Sequence, residues 1–420
     1  MPGKNKPFPK DFLWGASTAS HQVEGGTVNQ WSEWELANAS ELAKTAEQRL
    51  GNLPMWERVK EQATDPNNYV SGEGVDHYNR YEEDFNLAKQ LNLNAFRFGI
   101  EWSRLEPEEG KWDEKEVDHY RHYISELKAR GLEPFLNVWH WTMPTWFTEA
   151  GGFAKRDNIA YFDRFVEKIA IEFGEDLKYI ITLNEPNVYA SHSYATGDWV
   201  PEEKNPLKFL WTYWNLVTAH RRAYGILKHY QPSLQVGIAQ NMSAFRPKRP
   251  GNHLDRAGAW LNGYAWNYWF VDRIRREQDF VGFNFYNTRY IKGFRGADPG
   301  KPLNDLGWYM EPSGIHDIIT QLHKRYNKPI FITESGVADA KDKHRQWWLE
   351  ETIKAMERAR ADGASLSGYF HWSLLDNFEW KFGWWPKFGL VEVDREHDMA
   401  RKIRPSAQWF AKKIKSLDNR

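Results

Sequence analysis

The 420-residue chain contains no cysteine, which excludes disulfides, thiolate nucleophiles and the common cysteine-based zinc sites. Long apolar runs are missing as well. No segment approaches the roughly 18 apolar residues of a membrane span. At the N-terminus, Pro7, Pro9, Lys10 and Asp11 interrupt "MPGKNKPFPKDFLWGAS" before a leader of signal-peptide length can form. Nor is there charge of one sign: Lys+Arg of 56 against Asp+Glu of 57 leaves a formal net charge of -1. That lacks the basic excess needed to bind phosphate backbones. These absences imply a cytoplasmic protein with no membrane span and no nucleic-acid partner. Aromatic residues, by contrast, are abundant, with Trp 23, Tyr 19 and Phe 24 making 16% of the chain. Such rings fill cores, form interfaces or stack on sugars, so their positions decide their use.

Eight short β-branched or aromatic runs alternate with longer amphipathic stretches, the pattern of repeated βα units around a parallel sheet. They are "DFLWGAS" (11–17), "AFRFGIEW" (95–102), "PFLNVWHW" (134–141), "YIITLNE" (179–185), "QVGIAQN" (235–241), "FVGFNFY" (280–286), "PIFITES" (329–335) and "LSGYFHW" (366–372). Helical spacing marks 78–92, 113–131 and 159–174, each closing near Gly or Asn. The pattern predicts an α/β fold, a single (β/α)8 barrel over 1–420. The region 40–74 breaks the alternation and reads as an insertion at the barrel mouth. The tail 401–420 reads as a basic amphipathic helix packing by Trp409 and Phe410.

Barrels of this type carry their chemistry at the C-terminal ends of the strands. The expected rim is unusually polar. It has Gln22 and Glu24 after the first strand, Arg97 on the second, His140 after the third, and Asn184 with Glu185 after the fourth. The sixth adds Asn284 and Tyr286, the seventh Glu334, and the eighth Trp372 followed by Asp376, Asn377, Glu379 and Trp380. A lone glutamate at a strand end is more often structural than catalytic. Two glutamates ending different strands of one barrel, beside tryptophans suited to a sugar, form the constellation of a retaining glycosidase. One carboxylate attacks the anomeric carbon, and the other protonates the leaving oxygen and later activates water, at a separation of about 5–5.5 Å. Arg97 and Tyr286 beside Glu334 would keep it ionised, and its charge would raise the pKa of Glu185.

At these residues the chain resembles glycoside hydrolase family 1, the β-glucosidase and β-glycosidase family, from "FLWGASTASHQVEGG" to "RKIRPSAQWFA". "TLNEP" (182–186) is similar to the family's acid/base motif, "ITESG" (332–336) to its nucleophile motif and "HWSLLDNFEW" (371–380) to its sugar-binding segment. The resemblance implies Glu334 as nucleophile and Glu185 as acid/base, with Arg97, Asn284 and Tyr286 supporting them. It implies that Gln22, His140, Asn184, Glu379 and Trp380 hydrogen-bond the non-reducing sugar, with Trp372 against its ring. Phe388 would close the pocket, and Trp308 would form a platform on the aglycone side. Expected partners are small β-glycosides or short oligosaccharides. No cofactor or metal is expected, and an oligomer remains compatible with the sequence.

Three departures stand out. Ser335 follows Glu334 where the family usually has Asn, Thr142 replaces the usual Asp of the third-strand motif, and the segment from Asn241 to Phe280 is short. Two alternatives remain open at this stage. A 6-phospho-β-glycosidase would need cations for its phosphate, and Glu379 opposes that reading. A non-catalytic sugar-binding barrel would have lost a carboxylate, and both are present. A metal hydrolase finds little support, since no H-E-x-x-H pattern accompanies His140.

Overall fold

Strands form at all eight expected places in the computed structural model, which describes residues 8–418. They are β1 (Leu13–Ser17), β2 (Ala95–Gly99), β3 (Glu133–Trp139), β4 (Tyr179–Asn184), β5 (Gln235–Pro247), β6 (Val281–Lys292), β8 (Ile330–Ser335) and β9 (Leu366–Trp372), with a short β7 (Arg295–Ala297) between β6 and β8. Their order is β5-β4-β3-β2-β1-β9-β8-β6. Parallel pairing of β5 with β6, where Ala239 faces Gly282 and Asn241 faces Asn284, closes the ring. The result is an eight-stranded parallel (β/α)8 barrel without a free edge.

Alternation along each strand separates the barrel interior into layers. Ala95, Phe135, Ile181, Ala239, Phe280, Phe331 and Phe370 form one buried cluster inside it. Phe135 stacks on Tyr179 with centroids 5.0 Å apart and meets Phe370 at 4.9 Å. Two residues further along the same strands come Arg97, Asn137, Thr333 and Trp372. The aromatic layer therefore plugs the barrel beneath a polar layer that leads to the mouth. Each phenylalanine buried in this way contributes up to about 3 kcal/mol.

The expected helices are present as His77–Gln90, Glu114–Ala129 and Ile159–Phe173. In the last, Phe162, Phe165, Val166, Ile169 and Phe173 are buried, the three- and four-residue spacing of a face laid on the sheet. Between β1 and β2 a helix at Gln30–Lys44 is capped by the Asn29 side chain, which accepts from Trp31 N and Ser32 N at 3.0 Å. Two further helices, Ala46–Leu50 and Trp56–Ala63, pack through Leu50, Met55 and Val59 into a cluster with Trp372, Trp385 and Phe388. These helices thus lean on the loop after β9. Asn68 reinforces the contact by accepting from Trp384 N at 3.0 Å and donating to Phe382 O at 3.0 Å.

Several boundaries differ from the sequence reading. The second run ends at Gly99, and Trp102–Leu105 turns into a short helix. β5 and β6 run well past Asn241 and Tyr286 and remain paired to Pro247 and Ile291. In the tail, Ala400–Ile403 is a strand, β11, antiparallel to β10 (Val391–Asp394), and the helix occupies Pro405–Asp418. Phe410 of that helix is buried and meets Trp14 at 6.1 Å, while Trp409 is only partly covered. Asn419 and Arg420 lie outside the described residues.

Candidate active site

A cavity of about 340 Å3 opens at the C-terminal ends of the strands, lined in part by Gln22, His140, Glu185, Glu334, Trp372 and Glu379. Trp308, Tyr286, Trp380 and Phe388 complete the wall expected from the sequence. Asn184, Arg97 and Asn284 lie directly behind it, fully buried. Glu24, Asp376 and Asn377 are not brought to the cavity. Glu24 pairs with Arg104 at 2.9 Å, and Asp376 pairs with Arg404 at 2.7 Å.

The two strand-end glutamates have opposite surroundings. Glu334 ends β8 beside the buried guanidinium of Arg97, which donates to its Oε1, and Tyr286 OH donates to its Oε2 at 2.6 Å. Glu334 thus has one cationic and one hydroxyl donor, one on each carboxylate oxygen. Glu185 receives only neutral donors, Asn241 Nδ2 at 2.9 Å and Asn284 Nδ2 at 2.8 Å, both on Oε1. Burial, followed by the charge of Glu334, pushes the Glu185 carboxyl up to about 8. The same two causes, with Glu185 adding to the second, push Glu379 up to about 8.

A polar layer fixes these groups. Asn184 Oδ1 accepts from Arg97 Nη2 at 2.8 Å and from Asn284 Nδ2 at 3.0 Å, so its Nδ2 is the donor toward His140 Nε2 at 3.0 Å. Burial, then Arg97 and His21, hold the His140 pKa well below the ordinary value, so the ring is neutral. Gln22 donates to Phe378 O at 2.6 Å, whereas its Oε1 and Oε2 of Glu379 are buried without protein partners. Buried oxygens aimed into a cavity are ready to bind a ligand's hydroxyl groups.

The backbone at the cavity carries strain. Trp141, Glu185 and Trp380 all have positive φ, at 75°, 44° and 48°, each costing about 1–3 kcal/mol outside glycine. Glu185 is held there because its N–H reaches Ala239 O on the neighbouring strand at 2.7 Å and Pro186 opens a short helix immediately after it. At Gly336 a Cβ would come within 1.9 Å of Trp372 O, so only glycine lets the chain after Glu334 pass the end of β9.

The departures at Ser335 and Thr142 leave the cavity intact. The Ser335 side chain points outward and accepts from Trp348 Nε1 at 3.2 Å. Thr142 Oγ1 donates to Glu101 Oε2 at 2.9 Å, alongside Ser20 at 3.1 Å and Ser103 at 3.0 Å. An aspartate at 142 would bring a like charge against that buried carboxylate.

The model of glycosyl hydrolase family 1 matches residues 4–276 and 271–418, which together span nearly the whole chain. The chain belongs to glycosyl hydrolase family 1. Among its relatives is beta-glucosidase A of Acetivibrio thermocellus, 29% identical, with 97% of this chain and 98% of the relative covered. The solved beta-glycosidase from Pyrococcus horikoshii is similar at 32% identity and a TM-score of 0.84, covering 99% of this chain and 96% of that one. The beta-glucosidase from Thermotoga maritima in complex with glucoimidazole gives 28% identity and a TM-score of 0.85, over 98% and 99%.

As a family 1 glycoside hydrolase, the chain has further cavity residues that the sequence reading did not assign to the site. Asn241 closes the fifth predicted strand, and that strand-end position was the signal available for it. Trp141, which closes the third predicted run, had the same signal, whereas Trp199, His192, Ser243, Asn287 and Arg289 carried none, since they lie beyond the expected strand ends or within longer connections. Of the aromatic group at 266–270, Trp266 lines the cavity, whereas Trp269 packs outside on Tyr213 and Arg273.

Proposed function

We propose that this glycoside hydrolase is an exo-acting, retaining β-glycosidase of the β-glucosidase type, with Glu334 as nucleophile and Glu185 as acid/base. The reading is carried by the contrast within one cavity between Glu334, charge-paired with Arg97, and Glu185, surrounded by neutral donors. Glu334 attacks the anomeric carbon while Glu185 donates its proton to the departing oxygen. In the second step Glu185 takes a proton from water as that water displaces Glu334, so two inversions give retention. Gln22, His140 and Glu379 hold the terminal sugar and Trp372 lies against its ring. The curated relatives named as beta-glucosidases support the substrate class. Proton NMR of the first-formed sugar tests the mechanism: the β-anomer is expected, and an initial α-anomer rules out double displacement.

Glu185 must be protonated at the start of the first step. With its carboxyl pushed up to about 8, kcat/KM should hold through neutrality and fall as pH rises through about 8, where the proton is lost. A profile falling already near pH 5 would contradict the role given to burial and Glu334.

Sugars carrying a 6-phosphate should be poor substrates. Among the described residues no lysine lines the cavity, its arginine, Arg289, lies over Trp266, and the charges acting on Glu379 are those of Glu334 and Glu185. A phosphate beside Glu379 would therefore be desolvated without a counter-charge. Because Glu379 is pushed up to about 8, discrimination should sharpen as pH rises through that value and the carboxylate appears. A kcat/KM for a nitrophenyl 6-phosphoglucoside above that of its parent would establish the phosphoglycosidase alternative instead.

A further inference from the structure

β5 and β6 continue beyond the barrel mouth as a paired ribbon in which Phe245 faces Arg289. Arg289 is thereby held on a strand, and it lines the cleft with Trp266, Ser243, Asn287 and Trp308. Its guanidinium carbon lies 5.1 Å from the ring centroid of Trp266 and 5.9 Å from that of Phe245. The hydrogen bond it makes is a long one, from Nε to Asn287 Oδ1 at 3.4 Å. Among the described residues no carboxylate pairs with it. Nearby arginines behave differently: Arg246 on the ribbon is neutralised by Glu311 at 2.6 Å and Asp317 at 2.7 Å, and Arg249 just beyond its end by Asp255 at 2.9 Å. An arginine at an exposed position of the ribbon, its guanidinium over an indole and paired with no carboxylate among the described residues, suits a carboxylate partner.

A chain of contacts places this cation relative to the chemistry. Arg289 stacks on Trp266, Trp266 Nε1 donates to Asn241 Oδ1 at 3.0 Å, and Asn241 Nδ2 donates to Glu185 Oε1 at 2.9 Å. In the proposed reaction Glu185 protonates the leaving oxygen, so the space between Glu185 and Arg289 belongs to the leaving group. The surrounding charge points the same way. Burial lowers the pKa of His192 in this cleft, Asp198 opposes that, and Arg289 and Lys381 both add to the lowering. Two cations and a single carboxylate, Asp198, thus act on this ring, and Asp198 is already within 3.5 Å of it.

We propose that Arg289 is a specificity residue for the leaving group, and that the aglycone side accepts an aromatic ring bearing a carboxylate, the ring lying against Trp266 and Trp308 and the carboxylate on the guanidinium. This rests on the retaining glycosidase reading, which fixes the side on which the leaving group departs.

Competitive inhibition by 4-carboxyphenyl and 4-carbamoylphenyl 1-thio-β-D-glucosides tests the proposal without differences in leaving-group reactivity. The native enzyme should bind the carboxylate roughly fivefold more tightly at low salt, the scale of a partly exposed charge-assisted contact. The ratio should shrink as salt rises. Arg289→Gln should bring it to about one, while Arg289→Lys keeps part of it. Equal inhibition constants in the native enzyme, a native preference for the carbamoyl compound, or a loss in Arg289→Gln that falls equally on both compounds would overturn the proposal. Failure of either compound to compete with a nitrophenyl β-glucoside that is turned over would do the same. Absence of turnover on every β-glycoside would instead overturn the underlying glycosidase reading, and this inference with it.

Discussion

Glu334→Gln should fold, keep its affinity for a β-glucoside and lose turnover by several orders of magnitude. The amide has the size of the carboxylate but cannot form the glycosyl ester, so the double displacement has no first step. Glu334→Ala should be equally inactive but also less stable. It leaves Arg97 fully buried opposite an empty space, and unpairing a buried ion pair costs about 3–5 kcal/mol. Comparing the melting temperatures of the two variants separates this structural effect from the chemical one. In the native enzyme a 2-deoxy-2-fluoroglucoside with a good leaving group should trap the ester on Glu334, identifiable by peptide mass spectrometry. A label on Glu185 or Glu379 would move the nucleophile to that residue and end the assignment.

Glu185→Ala should show the second-largest loss, and its size should depend on the substrate. Glycosides with poor leaving groups need the proton and should lose turnover by several orders of magnitude. Activated aryl glycosides depart without it and should lose far less in the first step. For the latter, the second step becomes limiting because nothing activates water. Azide, which needs no general base, should restore turnover and give the β-glycosyl azide. The variant should be no less stable than the native protein, since it removes a carboxyl pushed up to about 8 by burial and by Glu334. Equal losses on good and poor leaving groups, with no azide effect, would give Glu185 a positioning role in place of the proton transfer.

The amino-acid sequence by itself determined the barrel and the identity of its two strand-end glutamates. Short β-branched or aromatic runs alternating with amphipathic stretches occur eight times, and this local signal survives folding because each strand is buried on both faces whatever its neighbours are. Glu185 and Glu334 were legible for the same reason, since a carboxylate ending a buried strand is costly unless it serves the site. Ring closure through β5 and β6, the neutral donors on Glu185 and the ion pair on Glu334 were decided by tertiary structure. These depend on residues far apart in the chain, such as Arg97 with Glu334 and Asn241 with Glu185. The raised pKa of Glu185 follows from its burial and from the charge of Glu334. Arg289 shows the limit most clearly: the sequence places arginines at 246, 249 and 289 in similar polar surroundings. Only the fold pairs the first two with carboxylates and lays the third, uncompensated, across the face of Trp266.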